Sequence, residues 1–394
     1  MTLSVTRAIH AAISLYPIIF QRRGVSFCSS VKKPSSFSSS VSSVPVSTVR
    51  IPLFLREASS TATLADLQAW RKWAQNLVFS VGSKFEDSDN GPGPELLCRE
   101  IRWLLEDVVE DSSKLSYLVS NQVSDLKQTI LEEVSSLSDK RDCHKDCYVI
   151  RLRADLDELY CLWNERIAKR RPFQYIVGCE HWRDLVLSVQ EGVLIPRPET
   201  EMIVDMVEEV ISKDKVLGEG IWADLGTGTG ALGIGIARIL GNGGKVVATD
   251  VSEVAVSVAS FNVSRYGLQD KIEVRQGSWF DPLEDVKGIL SGVVSNPPYI
   301  PSKEIAGLQS EVGQHEPILA LDGGENGLDD LLHLCEGSAL ALQSGGFFAF
   351  ETGGDSQSEF IAHVMINKSN FSFRDVKIVA DLAGVRRFVT GFRK

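Results

Sequence analysis

The sequence lacks any apolar run of the ~18–20 residues that a membrane span requires. Its most apolar early stretch, Ala8–Phe20, is shorter and is flanked by Arg7, Arg22 and Arg23. A paired cysteine framework is also missing. Cys28, Cys98, Cys143, Cys147, Cys161, Cys179 and Cys335 are odd in number and scattered, which argues against structural disulfides. Cys143-His144 with Cys147 has the look of a metal-binding fragment, but no second pair follows at zinc-like spacing. No metal is therefore expected. Acids are absent from the first 56 residues, whose charges are Arg7, Arg22, Arg23, Lys32, Lys33, Arg50 and Arg56, with serine dense from Ser35 to Ser43. A basic, Ser-rich, acid-free leader is the signature of an organellar transit peptide. Setting it aside leaves 34 basic residues against 52 acids, a net charge of −18. That balance disfavours a protein gripping a nucleic-acid backbone over its whole surface.

What remains is long enough and apolar enough, at 43 % hydrophobic residues, to bury a substantial core and form two domains. Leu64, Leu67, Trp70, Trp73, Leu77 and Val78 recur at helical spacing, with Thr61 or Thr63 placed to cap the start. A turn-rich break at Asp87–Gly93 follows, and helical patterns resume at Glu95–Val109, Asn121–Leu137 and Arg151–Arg170. Residues 57–172 thus read as a small helical domain, with a polar surface loop at Ser135–Cys147. Residues 173–195 alternate at period two through Leu185, Leu187 and Val189, which predicts a linking β-hairpin with a turn at Glu191-Gly192. From residue 196 to 394 strands and helices alternate. Strands are expected at Gly220–Leu225, Lys245–Asp250, Lys271–Gln276, Gly288–Ser295, Gly345–Glu351, Phe371–Ala380 and Arg386–Thr390, and helices notably at Gly230–Leu240, Glu253–Tyr266 and Leu328–Gln343. This alternation implies an α/β fold with a mostly parallel sheet covered by helices on both faces. Such sheets bind ligands at the carboxyl ends of their strands, where strand order reverses.

Asp224-Leu225-Gly226-Thr227-Gly228-Thr-Gly230 follows an apolar strand and opens a helix. Glycines there allow a tight turn and close approach of a ligand to the backbone. Gly228, Gly230 and Gly233 also satisfy the G-x-G-x-x-G of dinucleotide enzymes, and Asp250 ends the next strand, where a carboxylate can accept both hydroxyls of a ribose. NAD and S-adenosylmethionine both carry that ribose. Asp224 favours the second, because an acid at the strand end suits an ammonium and a sulfonium rather than a pyrophosphate. Trp279, after the third strand, stands where an indole can pack on a purine face.

Ser295-Asn296-Pro297-Pro298-Tyr299 closes the fourth strand. Two prolines cannot continue a ladder, so they stop the strand and fix an extended backbone. The Asn296 carboxamide oxygen and the Pro297 carbonyl become fixed acceptors, and Pro298 has no N–H to compete for them. A planar H₂N– group offers two donors that match, and Tyr299 can stack on its plane. An amide nitrogen is a poor nucleophile, so alignment is the main lever and can supply up to ~7–11 kcal/mol.

With these motifs the sequence resembles the HemK/PrmC-type protein-(glutamine-N5) methyltransferases over most of residues 63–394, most densely after Arg171. Arg171-Pro172-Phe-Gln174-Tyr175-Ile-Val-Gly178, Pro196-Arg197-Pro198-Glu199-Thr200-Glu201, the Asp224 loop and Ser295-Asn-Pro-Pro-Tyr-Ile300 carry the likeness. Glu311-Val, Glu316-Pro317, Ala320-Leu-Asp-Gly-Gly324, Gly327-Leu-Asp329 and Asp381-Leu-Ala-Gly384 with Arg386 extend it. The resemblance implies the class I S-adenosylmethionine methyltransferase fold, a seven-stranded, mostly parallel doubly wound sheet preceded by a small helical domain and a β-hairpin linker. It implies S-adenosyl-L-methionine as cofactor, with donor contacts at the 224–228 loop, Gly230, Asp250, Trp279 and Asn296. It further implies methylation of the Gly-Gly-Gln glutamine of peptide chain release factors, with the helical domain helping to dock that protein substrate. Two departures stand out: a longer helical domain, with extra polar sequence around Glu132–Cys147, and Trp182 where Phe is commoner.

Arg197, Glu199 and Glu201 either wall the active site or brace the joint between domains, and bracing is the favoured role for Glu316 and His315. With the leader, the expected partner is an organellar release factor, in the chloroplast stroma or alternatively the mitochondrial matrix. No direct nucleic-acid or membrane partner is expected, and a monomer is the default. Three other functions compete: a nucleic-acid amino-methyltransferase using the same nitrogen chemistry, a nicotinamide oxidoreductase, and a silent binding protein. The acidic balance and the Pro-Arg-Pro-Glu-Thr-Glu block count against the first, and the second has no catalytic His or Tyr-Lys constellation.

Overall fold

The computed structural model describes residues 49–111, 149–368 and 373–394. The chain divides into two compact units, one of Ile51–Gly178 with Gln309–Glu311, the other chiefly of Cys179–Leu308 and Val312–Lys394.

In the first unit, strand β1 (Ser60–Thr63) leads directly into helix α1 (Leu64–Val81). Thr63 caps that helix reciprocally. Its hydroxyl accepts from Asp66 N at 3.1 Å while Asp66 accepts from Thr63 N at 2.9 Å. Leu67, Trp70, Ala74 and Val78, three or four residues apart, form the buried stripe. Helices α2 (Pro94–Val108) and α3 (Leu156–Ala168) complete the bundle, and Trp163 Nε1 donates to Ala74 O at 3.2 Å. Buried among them, Arg166 forms a two-bond fork with Glu100, at 2.7 and 3.1 Å, and also reaches Glu311 at 3.0 Å.

Four expectations need correction here. Arg151 and Leu152 are not helical: Val149–Leu152 forms strand β2, antiparallel to β1, because its buried side chains alternate and Asp155 starts the helix only afterwards. The unit begins at Ile51 rather than residue 57, since Leu53 is fully buried in it. At its other end Phe173–Val177 is a short helix belonging to this unit, not to a linker. The expected break at Asp87–Gly93 partly folds as the short helix Lys84–Asp89. The helix expected at Asn121–Leu137, the loop at Ser135–Cys147 and the Cys143-His144-Cys147 fragment lie outside the described residues.

The second unit opens with the hairpin of β3 (Cys179–Trp182) and β4 (Leu185–Ser188). Its own turn falls at Arg183-Asp184, where Trp182 pairs with Leu185 and Arg183 takes a φ of 53°; the expected turn at Glu191-Gly192 is also present, closed by Val193 N donating to Gln190 O at 3.2 Å, but follows the hairpin. Strands β5 (Ile221–Leu225), β6 (Lys245–Asp250), β7 (Ile272–Gln276), β8 (Leu290–Ser295), β9 (Leu342–Glu351), β10 (Phe373–Ala380) and β11 (Arg386–Arg393) form one sheet. Its order is β10-β11-β9-β8-β5-β6-β7, and β11 alone runs antiparallel to its neighbours. This is the seven-stranded, mostly parallel, doubly wound α/β sheet that the sequence led us to expect.

Both faces are apolar because successive residues on each strand bury on opposite sides. Trp222, Val294 and Phe347 join helices α4 (Glu201–Lys213), α5 (Ala231–Ile239) and α6 (Glu253–Arg265) in one core. Ala223, Val293 and Phe348 join α7 (Asp329–Ala341) and α8 (Asp355–Asn367) in the other. The chain leaves the central strand β5 for β6 and β7 on one side and returns to β8 and β9 on the other. The order therefore reverses between β5 and β8, and a crevice is expected at their carboxyl ends.

Candidate active site

The register Leu225↔Ser295 brings the ends of β5 and β8 side by side. The glycine loop leaves one end and Asn296 leaves the other. A cavity of about 330 Å³ lies over them, within the range of small-molecule sites.

Gly226, Gly228 and Gly230 all adopt positive φ, at 69°, 56° and 83°. A side chain would be strained at each, so glycine is required for the chain to turn back under the cavity. Asp224 Oδ2 pins the loop, accepting from Thr227 Oγ1 at 2.5 Å and from Gly233 N at 2.8 Å. Its Oδ1 is buried without a hydrogen-bond partner, although Asp224 lines the cavity. Burial pushes this carboxyl up to about 6. An unpaired buried acceptor of this kind calls for a cationic donor. Asp250, whose pKa burial also raises, accepts from Gly228 N and Ser252 N, each at 2.9 Å. Each of its oxygens keeps accepting capacity for a diol. Trp279, at a φ of 44°, packs its ring against Gly226, and its side chain hydrogen-bonds to Asp330. Acid for an amine, acid for a ribose and indole for a purine together fit S-adenosylmethionine.

Across the cavity, Asn296 Nδ2 donates to Thr200 Oγ1 at 3.1 Å, and Thr200 Oγ1 donates to Glu351 Oε2 at 2.6 Å. Tyr299 OH lies 3.3 Å from Glu351 Oε1. Glu351 is buried at the end of β9, and burial raises its carboxyl to about 7. The turn itself is clamped from behind. Ile300 N donates to Leu321 O and Gly323 N to Ile300 O, both at 2.9 Å, and Gln357 Nε2 donates to Tyr299 O at 2.8 Å. A Cβ at Gly327 would lie 2.1 Å from that Tyr299 carbonyl, so only glycine permits the approach.

The sequence-predicted residues divide accordingly. Asp224, Gly226, Thr227, Gly228, Asp250, Trp279, Asn296, Pro298 and Arg197 line the cavity. Leu225, Gly230, Pro297, Tyr299 and Glu199 are not among its lining residues. Leu225 and Pro297 are buried, Gly230 precedes α5, and the Tyr299 hydroxyl lies against Glu351 while its ring packs on the core. Arg197 lines the cavity, and its pair with Glu316 at 2.7 Å lies within the sheet unit. Glu316 also accepts from Ile195 N at 3.1 Å, so it is a brace. Glu201 holds the hairpin turn through Arg183 N at 2.8 Å. Thr200, Ser252, Leu319 and Asp330 also line the cavity, unforeseen. Thr200 sat inside a recognised block, but nothing local marked its hydroxyl as a link to Glu351, 151 residues away.

Comparison with known proteins gives three findings. The sequence model of the Methyltransferase small domain family matches residues 201–312. The release factor glutamine methyltransferase of Synechocystis sp. is 41 % identical over 233 residues, covering 58 % of this chain and 75 % of that protein. The protein of the same name from Thermosynechococcus vestitus is 40 % identical, covering 61 % and 80 %. Among solved structures, the hMettl16 catalytic domain with a MAT2A 3′UTR hairpin aligns at 16 % identity and a TM-score of 0.43, over 60 % of this chain and 81 % of that one.

Proposed function

The chain belongs to the release factor glutamine methyltransferases, and on that premise we propose that it methylates the side-chain amide nitrogen of the glutamine in the Gly-Gly-Gln motif of organellar peptide chain release factors, supporting translation termination. The observation that carries this is one cavity lined by both the Asp224 loop and Asn296. S-adenosylmethionine, when bound, supplies an electrophilic methyl group. Asp224 would hold the donor's ammonium, Asp250 its ribose hydroxyls and Trp279 its adenine.

The rest of the chemistry belongs to the chain. Asn296 presents its carboxamide oxygen to one N–H of the substrate amide, and the Pro297 carbonyl is the second acceptor. Prolines 297 and 298 hold both without a competing donor. Accepting from the N–H raises electron density on the nitrogen and fixes its direction, which is the lever for so weak a nucleophile. No covalent intermediate on the enzyme is needed.

The acid-free, Ser-rich leader supports an organellar setting, the chloroplast stroma or alternatively the mitochondrial matrix. The second reading, an adenine or guanine amino-methyltransferase, keeps the same nitrogen chemistry but must overcome the net −18 beyond the leader. Incubation with labelled donor and either a release factor or organellar RNA separates them. Label is expected in the release factor, and label confined to RNA would overturn the proposal.

A further inference from the structure

Asn296 can serve as an acceptor only if its carboxamide oxygen, not its NH₂ group, faces the reacting nitrogen. The two ends of a carboxamide are nearly equal in shape, so sterics alone do not choose between them. Hydrogen bonding can choose, and among the described residues the Asn296 side-chain amide hydrogen-bonds to Thr200 Oγ1, at 3.1 Å.

A hydroxyl has one hydrogen to give. Thr200 lies 2.6 Å from Glu351 Oε2, and an ionised carboxylate only accepts, so the Thr200 hydrogen is committed to Glu351. Toward Asn296 the hydroxyl can then only accept. Asn296 must present Nδ2 to it, and Oδ1 is the end left to the cavity. The far oxygen of the same carboxylate takes the Tyr299 hydroxyl at 3.3 Å, which ties the relay back to the other end of the Asn-Pro-Pro-Tyr turn. Thr200 is 5 % exposed and Glu351 is 1 % exposed, so water does not compete for these bonds.

We propose that Thr200 and Glu351 are positioning residues for methyl transfer, a relay in which the ionised Glu351 fixes the Asn296 amide with its oxygen toward the substrate nitrogen. The proposal rests on the acceptor role given to Asn296 above. It has a consequence when Glu351 takes up a proton. A proton on Oε2 is donated to Thr200, whose own hydrogen turns to Asn296. The amide then lowers its energy by flipping, and its NH₂ faces the donors of the substrate. The groups around Glu351 are Thr200 and Glu199 from the segment before α4, Tyr299 after β8, and Arg387 on β11, which pairs with Asp381; Arg197 acts on Tyr299. Burial and Glu199 favour the proton; Thr200, Arg387 and Tyr299 oppose it. The carboxyl of the ligand-free protein stands near 7, so the relay is set above that pH and unset below it.

The test uses the full-length protein, S-adenosylmethionine and a purified release factor, with kcat, KM and the donor Kd measured for four variants. Thr200→Val and Glu351→Gln are expected to lower kcat by ~10–100-fold with donor Kd within ~3-fold, because the lost interaction orients a group that acts in the transition state. Thr200→Ser keeps the hydroxyl and is expected to recover most of the rate lost in Thr200→Val. In the parent protein kcat at saturating donor should fall as pH drops through about 7, and in Glu351→Gln that acid limb should vanish. If Thr200→Val and Glu351→Gln keep full kcat while Asn296→Ala is inactive, the relay is refuted and the proposed function stands. If Asn296→Ala is also fully active, the proposed function itself fails. An acid limb that persists in Glu351→Gln, or equal losses in Thr200→Ser and Thr200→Val, would likewise refute the relay. Should Glu351→Gln fail to bind the donor, the Thr200 pair decides alone.

Discussion

Asn296→Ala removes the carboxamide proposed as the substrate acceptor while leaving Asp224, Asp250 and the glycine loop in place. The expected outcome is a fall in kcat of ~10²-fold or more with a nearly unchanged donor Kd, measured by steady-state kinetics and calorimetry. Asp224 makes a pH prediction. Its carboxyl titrates near 6, above its ordinary value, because it is buried. An ammonium prefers the ionised form, so donor affinity should rise with pH through about 6 and level off above it. Titration calorimetry between acidic and neutral pH checks this, and Asp224→Asn should abolish the dependence. At this scale the glycine-loop side of the cavity was legible in the sequence. Asp224, Gly226, Gly228 and Asp250 belong to one strand–turn–helix–strand stretch, whose local geometry dictates their chemistry. Thr200 and Glu351 were not legible, because their link is made by tertiary packing between the start of α4 and the end of β9. The Tyr299 hydroxyl bond was not legible for the same reason: its partner Glu351 lies on a distant strand.

Elements show the same division. The strands and helices of the α/β unit followed from periodicity, and β6 spans Lys245–Asp250 as expected. Helices α4 and α8 were not singled out, and β2 was read as the start of a helix because Ile150 and Leu152 offer too short an alternation to compete with the helical pattern after Asp155. The turn at Glu191-Gly192 was marked by its glycine, whereas the hairpin's own turn was not, because Arg183 adopts positive φ without one. In the helical unit, the fork between Arg166 on α3 and Glu100 on α2 is almost fully buried. Removing one member of such a pair leaves the other charged and without its partner, which costs ~3–5 kcal/mol. Arg166→Ala should destabilise this unit by that amount. Hydrogen exchange of amides in α1, α2 and α3 is the measurement, because it reports the helical unit separately from the sheet.

For the whole molecule, the division of labour between a helical unit and a sheet unit was readable from the change in texture near residue 200. The join was placed less well. The helical unit starts at Ile51, reaches Gly178 and recruits Gln309–Glu311 from far along the chain, which no local pattern announces. The functional account rests on one claim, that the turn at 296–299 holds a protein amide rather than a base. Mass spectrometry of organellar release factors, from cells with and without this protein, tests it most directly. The account predicts one added methyl group on the loop glutamine, lost when the protein is absent or carries Asn296→Ala. An unmethylated glutamine in the presence of active protein, or a methylated one in its absence, would contradict it.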